Sequence, residues 1–346
     1  MRIAVHHLPG TFSTRWLDVL AERGVPHARI DAFADDVLRR MADFDALLWN
    51  WTLHHPVGLR YARSITCALE AAGKVVFPDT ATAWHYDDKV AQKYLLEAIG
   101  APIAPTFVFY DQESASQWAA SADYPLVFKL AGGAGSYNVR LVESAASAHL
   151  IIRRMFGPGM QPVAGYLTDA STKLRRLRSL GDVVGRLRRL PGAWRDIAHK
   201  KRLIPRQRGY VLFQEYLPDN EFDTRIVTIG KRAFGLRRRN RPGDFRASGS
   251  GLLDYRADHI DSRCVEIASS ISRRLGFQCM SYDFVLDRDR RPALLEISYC
   301  FSPGEVYRRC EGYWDEGLVF IPGHEYMEDA ILRLILDGHG GDDQGE

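Results

Sequence analysis

Four short stretches of this chain place chemically capable residues at spacings that suit one another. In residues 124–142 an apolar strand carries Lys129 inward and runs into a small-residue loop containing Gly132, Gly133, Gly135 and Ser136. Glycines let backbone N–H groups approach a polyanion with no Cβ in the way, and a lysine adds a point charge for phosphate. No G-K-[ST] follows, so this is not a Walker loop. A glycine hairpin beside a buried lysine stem is the alternative. In residues 211–222 an apolar strand ends in Gln214, Glu215, Tyr216 and Leu217, with Glu221 four positions after Leu217. Such a hinge can offer backbone groups to an adenine edge and an acid to a ribose diol, although an edge strand ending in a polar turn reads the same way.

The third stretch is a pair of strands, 281–285 and 294–298, carrying Asp283 and Glu296 with 12 residues between them. Acids in apolar strands are costly unless paired or metal-bound. Two carboxylates plus an oxygen side chain such as Ser298 suit Mg²⁺, which takes few protein oxygens and keeps phosphate and water ligands. The competing explanation is a structural acid paired with Arg288, Arg290 or Arg291. The fourth stretch, 235–251, contains Arg237, Arg238 and Arg239. Strand alternation turns Arg238 to the opposite face from its neighbours, and an inward arginine can neutralise charge on a transferring phosphoryl group.

These residues need elements to hold them. Residues 1–78 alternate strands (2–6, 27–30, 46–51, 75–77) with helical patterns (14–23, 34–41, 56–72), which predicts a doubly wound parallel sheet. Ligands of such sheets sit beyond the carboxyl ends of strands, which places Asn50, Trp51, His54 and His55 at a binding rim. Residues 79–123 read as a connector with a helix over 87–99, a strand over 106–110 and a helix over 112–120. A β-rich unit, 124–213, follows, interrupted by an insertion at 157–209. Strands resume at 210–216, 224–229, 232–239, 282–287 and 293–298 around a helix over 261–275. A helix over 324–336 precedes a polar tail, 337–346.

At 346 residues the chain is long for one domain, and its 46% hydrophobic, 26% charged composition is that of a soluble globular protein. No stretch of 18 apolar residues and no signal-peptide pattern occurs, so a cytoplasmic protein is expected. The five cysteines, Cys67, Cys264, Cys279, Cys300 and Cys310, are scattered without a C-x-x-C pair, which favours reduced thiols over disulfides or zinc. The net charge of +3 hides a local excess: between Lys173 and Arg208 stand 13 Lys/Arg against Asp182 and Asp196. Apolar residues at spacings of three or four there describe a helix with a cationic face. It is a solvated cover, or it binds an anionic substrate or anionic lipid. Nucleic acid is not expected, since Trp194 is the segment's only aromatic residue.

In order, these elements resemble the ATP-grasp superfamily, closest to glutathione synthetase, D-alanine–D-alanine ligase and the ligases that add glutamate to ribosomal proteins. The resemblance starts at Asp88-Lys89, continues through the turn Gly100-Ala101-Pro102-Ile103-Ala104-Pro105-Thr106, and covers roughly residues 79–305 apart from the insertion. It implies an N-terminal parallel-sheet domain, a small central lid domain (124–213) and a C-terminal mixed-sheet domain (214–336). It implies ATP and Mg²⁺ as cofactors. Lys89, Lys129, Gly132, Gly133, Gly135 and Ser136 would serve the phosphates. Gln214, Glu215, Tyr216 and Leu217 would serve the adenine, and Glu221 the ribose. Asp283, Glu296 and Ser298 would hold metal, and Arg238 would contact an acyl phosphate. Two departures stand out: Ser298 replaces the usual Asn, and the following N-x-S-P-G is stretched to Ser298-Tyr299-Cys300-Phe301-Ser302-Pro303-Gly304. The implied activity is ATP-dependent ligation of a small-molecule carboxylate to an amine; a small-molecule kinase and a polyanion-binding scaffold are the alternatives. The stretched motif and Gly312–Asp315 are similar to a surface-polysaccharide branch. That makes a phosphorylated, nucleotide-linked or polysaccharide substrate an open expectation, with peripheral membrane contact and homodimerisation also open.

Overall fold

The structure, a computed structural model, describes residues 1–53, 55–133, 138–162, 204–241, 243–302 and 309–340, with side chains of the last helix to 337. Its N-terminal sheet is the parallel one the alternation predicts. Strands β1 (Ile3–His6), β2 (His27–Ile30), β3 (Ala46–Leu48) and β4 (Val75–Phe77) run in the order β2-β1-β3-β4. β1 and β3 are buried along their whole length, as expected where crossover helices cover a parallel sheet.

Helix α1 (Phe12–Glu22) starts at Thr11, whose hydroxyl accepts from the Ser13 N–H, and turns Phe12, Trp16, Leu17, Val19 and Leu20 inward. The expected helix over 34–41 is shorter: α2 (Val37–Arg40) runs into a 3₁₀ turn at Met41–Asp43. Helix α3 (Pro56–Ala71) has Pro56 in its first turn and His55 as its cap, with Nδ1 accepting from the Gly58 N–H at 3.1 Å. After α4 (Thr80–Ala83), helix α5 (Lys89–Ala98) is capped by Asp88, which accepts from the Val90 and Ala91 N–H groups at 3.0 Å each. The acid before Lys89 is therefore a helix cap, and it fixes where the lysine starts.

The central sheet comprises β5 (Thr106–Phe109), β6 (Leu126–Lys129), β7 (Val139–Val142) and β8 (Val211–Glu215), antiparallel in the order β5-β8-β6-β7. Helices α6 (Gln112–Ser121) and α7 (Ala145–Phe156) close a core of its own, including Ala119, Phe128, Ile152, Met155 and Phe213. Residues 106–121, expected within a connector, belong to this unit because β5 pairs with β8.

The large sheet follows the order β13-β12-β9-β10-β14-β15, with β11 beside β10. Its strands are β9 (Phe222–Ile229), β10 (Arg232–Arg239), β11 (Leu253–Asp254), β12 (Cys279–Leu286), β13 (Pro292–Ser298), β14 (Gly312–Trp314) and β15 (Phe320–Pro322). A mixed sheet was expected, but its strand pairs are antiparallel, since short turns such as Gly230 and Lys231 join neighbours directly. A parallel contact enters as the isolated bridge between Ile103 and Leu294. The hairpin β14–β15 was not anticipated. It needs Gly312, where a Cβ would stand 2.1 Å from the Ile321 carbonyl oxygen. Helix α8 (Ser262–Leu275) ends at a left-handed Gly276, and α9 (Met327–Gly340) begins three residues later than the sequence suggests.

One hydrophobic core runs through the N-terminal and large sheets together. Polar bonds reinforce it: the Trp16 indole donates to the Glu328 carbonyl at 3.0 Å, and Gln278 Nε2 donates to the Val76 carbonyl at 2.9 Å. The five cysteines are free thiols.

Candidate active site

A cavity of about 790 Å³ lies where the central sheet, the large sheet and the loops beyond β1 and β3 meet. Two buried lysines reach it from different elements. Lys129, the last residue of β6, donates to Gln214 Oε1 at 2.5 Å and to the Leu295 carbonyl at 3.4 Å. Burial pulls its pKa down to about 8, with the nearby Glu296 carboxylate working against the fall. Lys89, the first residue of α5, donates to the Gly133 carbonyl and pairs with Glu296 Oε1, both at 3.0 Å. Burial opposes its charge too, but the carboxylates of Glu296 and Asp87 outweigh it and raise its pKa.

The glycine loop starts against these lysines. The Lys89 N–H donates to the Ala131 carbonyl at 2.9 Å, and the Tyr210 hydroxyl accepts from the Ala131 N–H at 2.7 Å. Asp87 Oδ1 accepts from the Gly133 N–H at 2.6 Å, and burial lifts this carboxyl to a pKa of about 6. Gly133 has φ 101°, and a Cβ there would stand 2.2 Å from Asn138 Nδ2, so any other residue is strained and must displace the Asn138 amide. Gly132 is flanked by Asp87 and Gln207; Gly135 and Ser136 lie outside the described residues.

Gln214, Glu215, Tyr216 and Leu217 all line the cavity. The Gln214 amide is held between Lys129 and the Thr106 hydroxyl, to which it donates at 2.9 Å. Glu221 differs from expectation: its side chain is exposed and does not line the cavity, whereas Asn220 and Phe222 on either side do.

Sheet register builds the acidic end. Asp283 on β12 stands opposite Glu296 on β13 and opposite Arg225 on β9, while Asp223 on β9 stands opposite Arg238 on β10. A row of five ionisable residues thus crosses four adjacent strands. Arg225 grips both oxygens of Asp283 at 2.6 and 2.7 Å. Arg238 grips Asp223 at 2.7 and 2.6 Å and reaches Asp283 Oδ2 at 2.7 Å. Burial alone would raise the Asp283 pKa, but the two guanidinium groups hold it well below the usual carboxylate range. Asp223 shares Arg238 with Asp283, and for it burial prevails and the pKa rises.

Asp283 is therefore arginine-paired, but by Arg225 and Arg238 and not by the neighbouring Arg288, Arg290 or Arg291 named from sequence. As alternation predicts, Arg238 is buried, Arg237 stacks on Phe222 at 4.0 Å and Arg239 is exposed. The Ser298 hydroxyl lines the cavity and donates to the Cys300 carbonyl at 2.9 Å. Among the described residues no group of three or more His, Cys, Asp or Glu could hold a metal. A cation here would rest on two carboxylates and a hydroxyl and complete its shell with phosphate and water oxygens, which is Mg²⁺ chemistry. The donor types fit; both acids would first have to exchange a cationic side chain for the metal.

Sequence reasoning missed Asp87, Asp223 and Arg225. The last two left a signal: two opposite charges at alternate positions of one strand share one face. At the N-terminal rim Asn50 and His55 line the cavity, whereas Trp51 is buried and does not; His54 lies outside the described residues. Gly312–Asp315 does not line it either. Of the basic stretch Lys173–Arg208, residues 173–203 lie outside the described residues, while Arg206 donates to the Pro158 and Gly159 carbonyls at 2.9 Å each. No described helix is long and apolar enough to cross a membrane.

No protein-family model matches the sequence, and neither does any curated protein. Solved structures do match. The fold is similar over 97% of this chain and 98% of the other to D-cycloserine synthetase DcsG, with TM-score 0.58 and 15% identity. It is similar over 99% of both chains to D-alanine–D-alanine ligase from Bacillus anthracis, with TM-score 0.57 and 12% identity. A third likeness, to the ATP-grasp ligase PsnB complexed with its minimal precursor, spans 97% and 98% of the two chains at TM-score 0.55 and 13% identity.

Proposed function

We propose that this chain, which has the ATP-grasp fold, is an ATP- and Mg²⁺-dependent ligase that activates a carboxylate as an acyl phosphate and joins it to an amine. The observation that carries this reading is the charged row Arg238–Asp223–Arg225–Asp283–Glu296 lining one cavity together with Lys89 and Lys129, Lys89 being paired with Glu296 at the end of the row. Cations and acids in that order suit a triphosphate, a hard cation and a transferring phosphoryl group. The similar structures, a synthetase and two ligases by name, support the same reaction class.

In this mechanism a substrate carboxylate oxygen attacks the γ-phosphorus, the bond to ADP breaks, and an acyl phosphate forms. An amine nitrogen then attacks the acyl carbon, phosphate leaves, and the amine proton passes to solvent. Lys89 and Lys129 neutralise the nucleotide phosphates, and Asp283, Glu296 and Ser298 would supply oxygens to Mg²⁺, which would polarise the phosphoryl oxygens when bound. Arg238, kept in place by Asp223, faces the negative charge that grows on the acyl phosphate and on the oxyanion after amine attack. Replacing Arg238 by Ala should lower kcat about 10²–10³-fold while changing nucleotide affinity little. Steady-state ADP release measured beside nucleotide titration checks this, and an unchanged kcat removes Arg238 from the mechanism.

The finer proposal, a substrate from cell-surface polysaccharide or natural-product assembly, is tested by the same assay as the ligase itself. ADP release is measured with Mg-ATP and a panel of amino acids, polyamines and carboxylated sugars, alongside the double variant Asp283→Asn/Glu296→Gln. Substrate-stimulated ADP formation, absent in the variant and accompanied by an amide product, is the expected result. ADP without amide points to a kinase. A second reading, a nucleotide-binding scaffold without turnover, is favoured by one observation: both candidate metal acids are already engaged by cationic side chains. Nucleotide binding with silence across the panel would support it.

A further inference from the structure

The peptide at Gly133 is gripped from both sides. Its N–H donates to Asp87 Oδ1 at 2.6 Å, and its carbonyl accepts from Lys89 Nζ at 3.0 Å. Asp87 also lies against Gly132, where a Cβ would stand 3.1 Å from Asp87 Oδ2. Lys89 is bound in turn to Glu296 at 3.0 Å. Carboxylate, peptide, ammonium and carboxylate thus form a continuous chain along the wall of the cavity, which Asp87, Lys89, Gly133 and Glu296 all line.

Two features make Asp87 an uneconomical choice for a plain structural anchor. Its backbone is left-handed, φ 56°, where Asp and Asn are tolerated better than other side chains but glycine better still. Its carboxylate is disfavoured by burial and, to a smaller degree, by Glu296, and the neighbouring Lys89 only partly offsets that cost. A neutral oxygen would accept the same hydrogen bond at lower electrostatic cost. What a carboxylate adds is an anion on a glycine-loop N–H, the position such loops offer to phosphate oxygens.

We propose that Asp87 is a built-in competitor of the nucleotide: its carboxylate holds the Gly133 N–H, and a phosphate oxygen takes its place when nucleotide binds. This rests on the nucleotide-binding reading above and extends it to regulation of the same site. The consequence is a lowered affinity for phosphates, because each binding event must displace an internal anion and then hold polyphosphate charge near it. Release of product nucleotide is helped by the same return of Asp87 to the loop.

The test is calorimetric titration of the full chain and of Asp87→Asn and Asp87→Gly with Mg-ATP, Mg-ADP and adenosine. Asn keeps the size of the side chain and tolerates the left-handed backbone; Gly removes the side chain and relieves the backbone. Thermal unfolding of each variant verifies that it is folded. Gly removes the competing acceptor and Asn leaves only a neutral, weaker one, so Mg-ATP and Mg-ADP binding should tighten about tenfold in Asp87→Gly and by less in Asp87→Asn, with adenosine affinity unchanged. Variants that bind Mg-ADP as the wild type does, or more weakly, overturn the proposal and make Asp87 a loop anchor. Equal shifts for adenosine and ADP overturn it as well, since they report a general change in the site. If the wild type binds no nucleotide at all, the proposed function falls and this inference with it, whereas wild-type binding with unmoved variants removes only the exchange.

Discussion

At the scale of single residues the site is organised by opposite charges that already have partners. Lys129 is the sharpest case, because burial lowers its pKa to about 8 while, among the described residues, its ammonium is hydrogen-bonded by a neutral amide and a carbonyl. A phosphate ligand would favour the charged form and raise that pKa. Binding therefore gains its full contribution from Lys129 below about pH 8 and loses it as pH rises above that value. Nucleotide affinity should fall between pH 8 and 9.5 by up to about tenfold per pH unit. Lys129→Arg, which stays charged throughout this range, should flatten the profile. A wild-type profile as flat as that of the arginine variant would take Lys129 out of phosphate binding.

At the scale of elements, the glycine loop and the strands beside it depend on backbone positions that side chains cannot share. Gly73 and Gly133 make a useful pair, since both have positive φ but only Gly133 has a neighbour where a Cβ would go. Gly73→Ala should lose about 1 kcal/mol from backbone strain alone. Gly133→Ala should lose more, about 1–3 kcal/mol, because Asn138 must also move. Denaturant melts of the two variants, with nucleotide titration, separate the effects: only Gly133→Ala should also weaken Mg-ATP binding. Equal melts would mean that Asn138 yields freely and that the loop is less constrained than its geometry indicates.

At the scale of the whole molecule, two hydrophobic cores divide the labour. One joins the N-terminal and large sheets, and the other belongs to the central sheet with α6 and α7. Phe213 is fully buried in the second and stacks near Trp118 and Phe128. Phe213→Ala should cost that unit about 3–5 kcal/mol. Native-state hydrogen exchange should then show lost protection in β6, β7 and β8 with β1, β3, β9 and β12 little changed. Uniform loss of protection would mean that the two cores unfold as one.

Much of this protein is written locally in its sequence. Period-two and helical patterns located the parallel sheet, the lysine strand, the hinge strand and both acid strands to within a few residues, because burial imposes those periods on neighbouring positions. Lys129, Asp283 and Glu296 were legible as charges interrupting apolar strands, which are costly without a purpose, and Arg238 through the alternation that sets it on the opposite face from Arg237 and Arg239. Lys89 was legible only through the resemblance carried by Asp88-Lys89. Other features needed the folded chain. Strand register, decided by long-range pairing, set Arg225 opposite Asp283 and Asp223 opposite Arg238, and so chose among the arginines. The left-handed turn at Asp87 carried its carboxylate to a loop 46 residues away, a contact that no local pattern encodes. Three-residue strands such as β14 and β15 are too short to leave a period, and they exist because Gly312 lets the Ile321 carbonyl come close. Composition and spacing determined which chemistry the chain can attempt, and tertiary pairing decided which charges meet, because ion pairs depend on distances that only the assembled sheets establish.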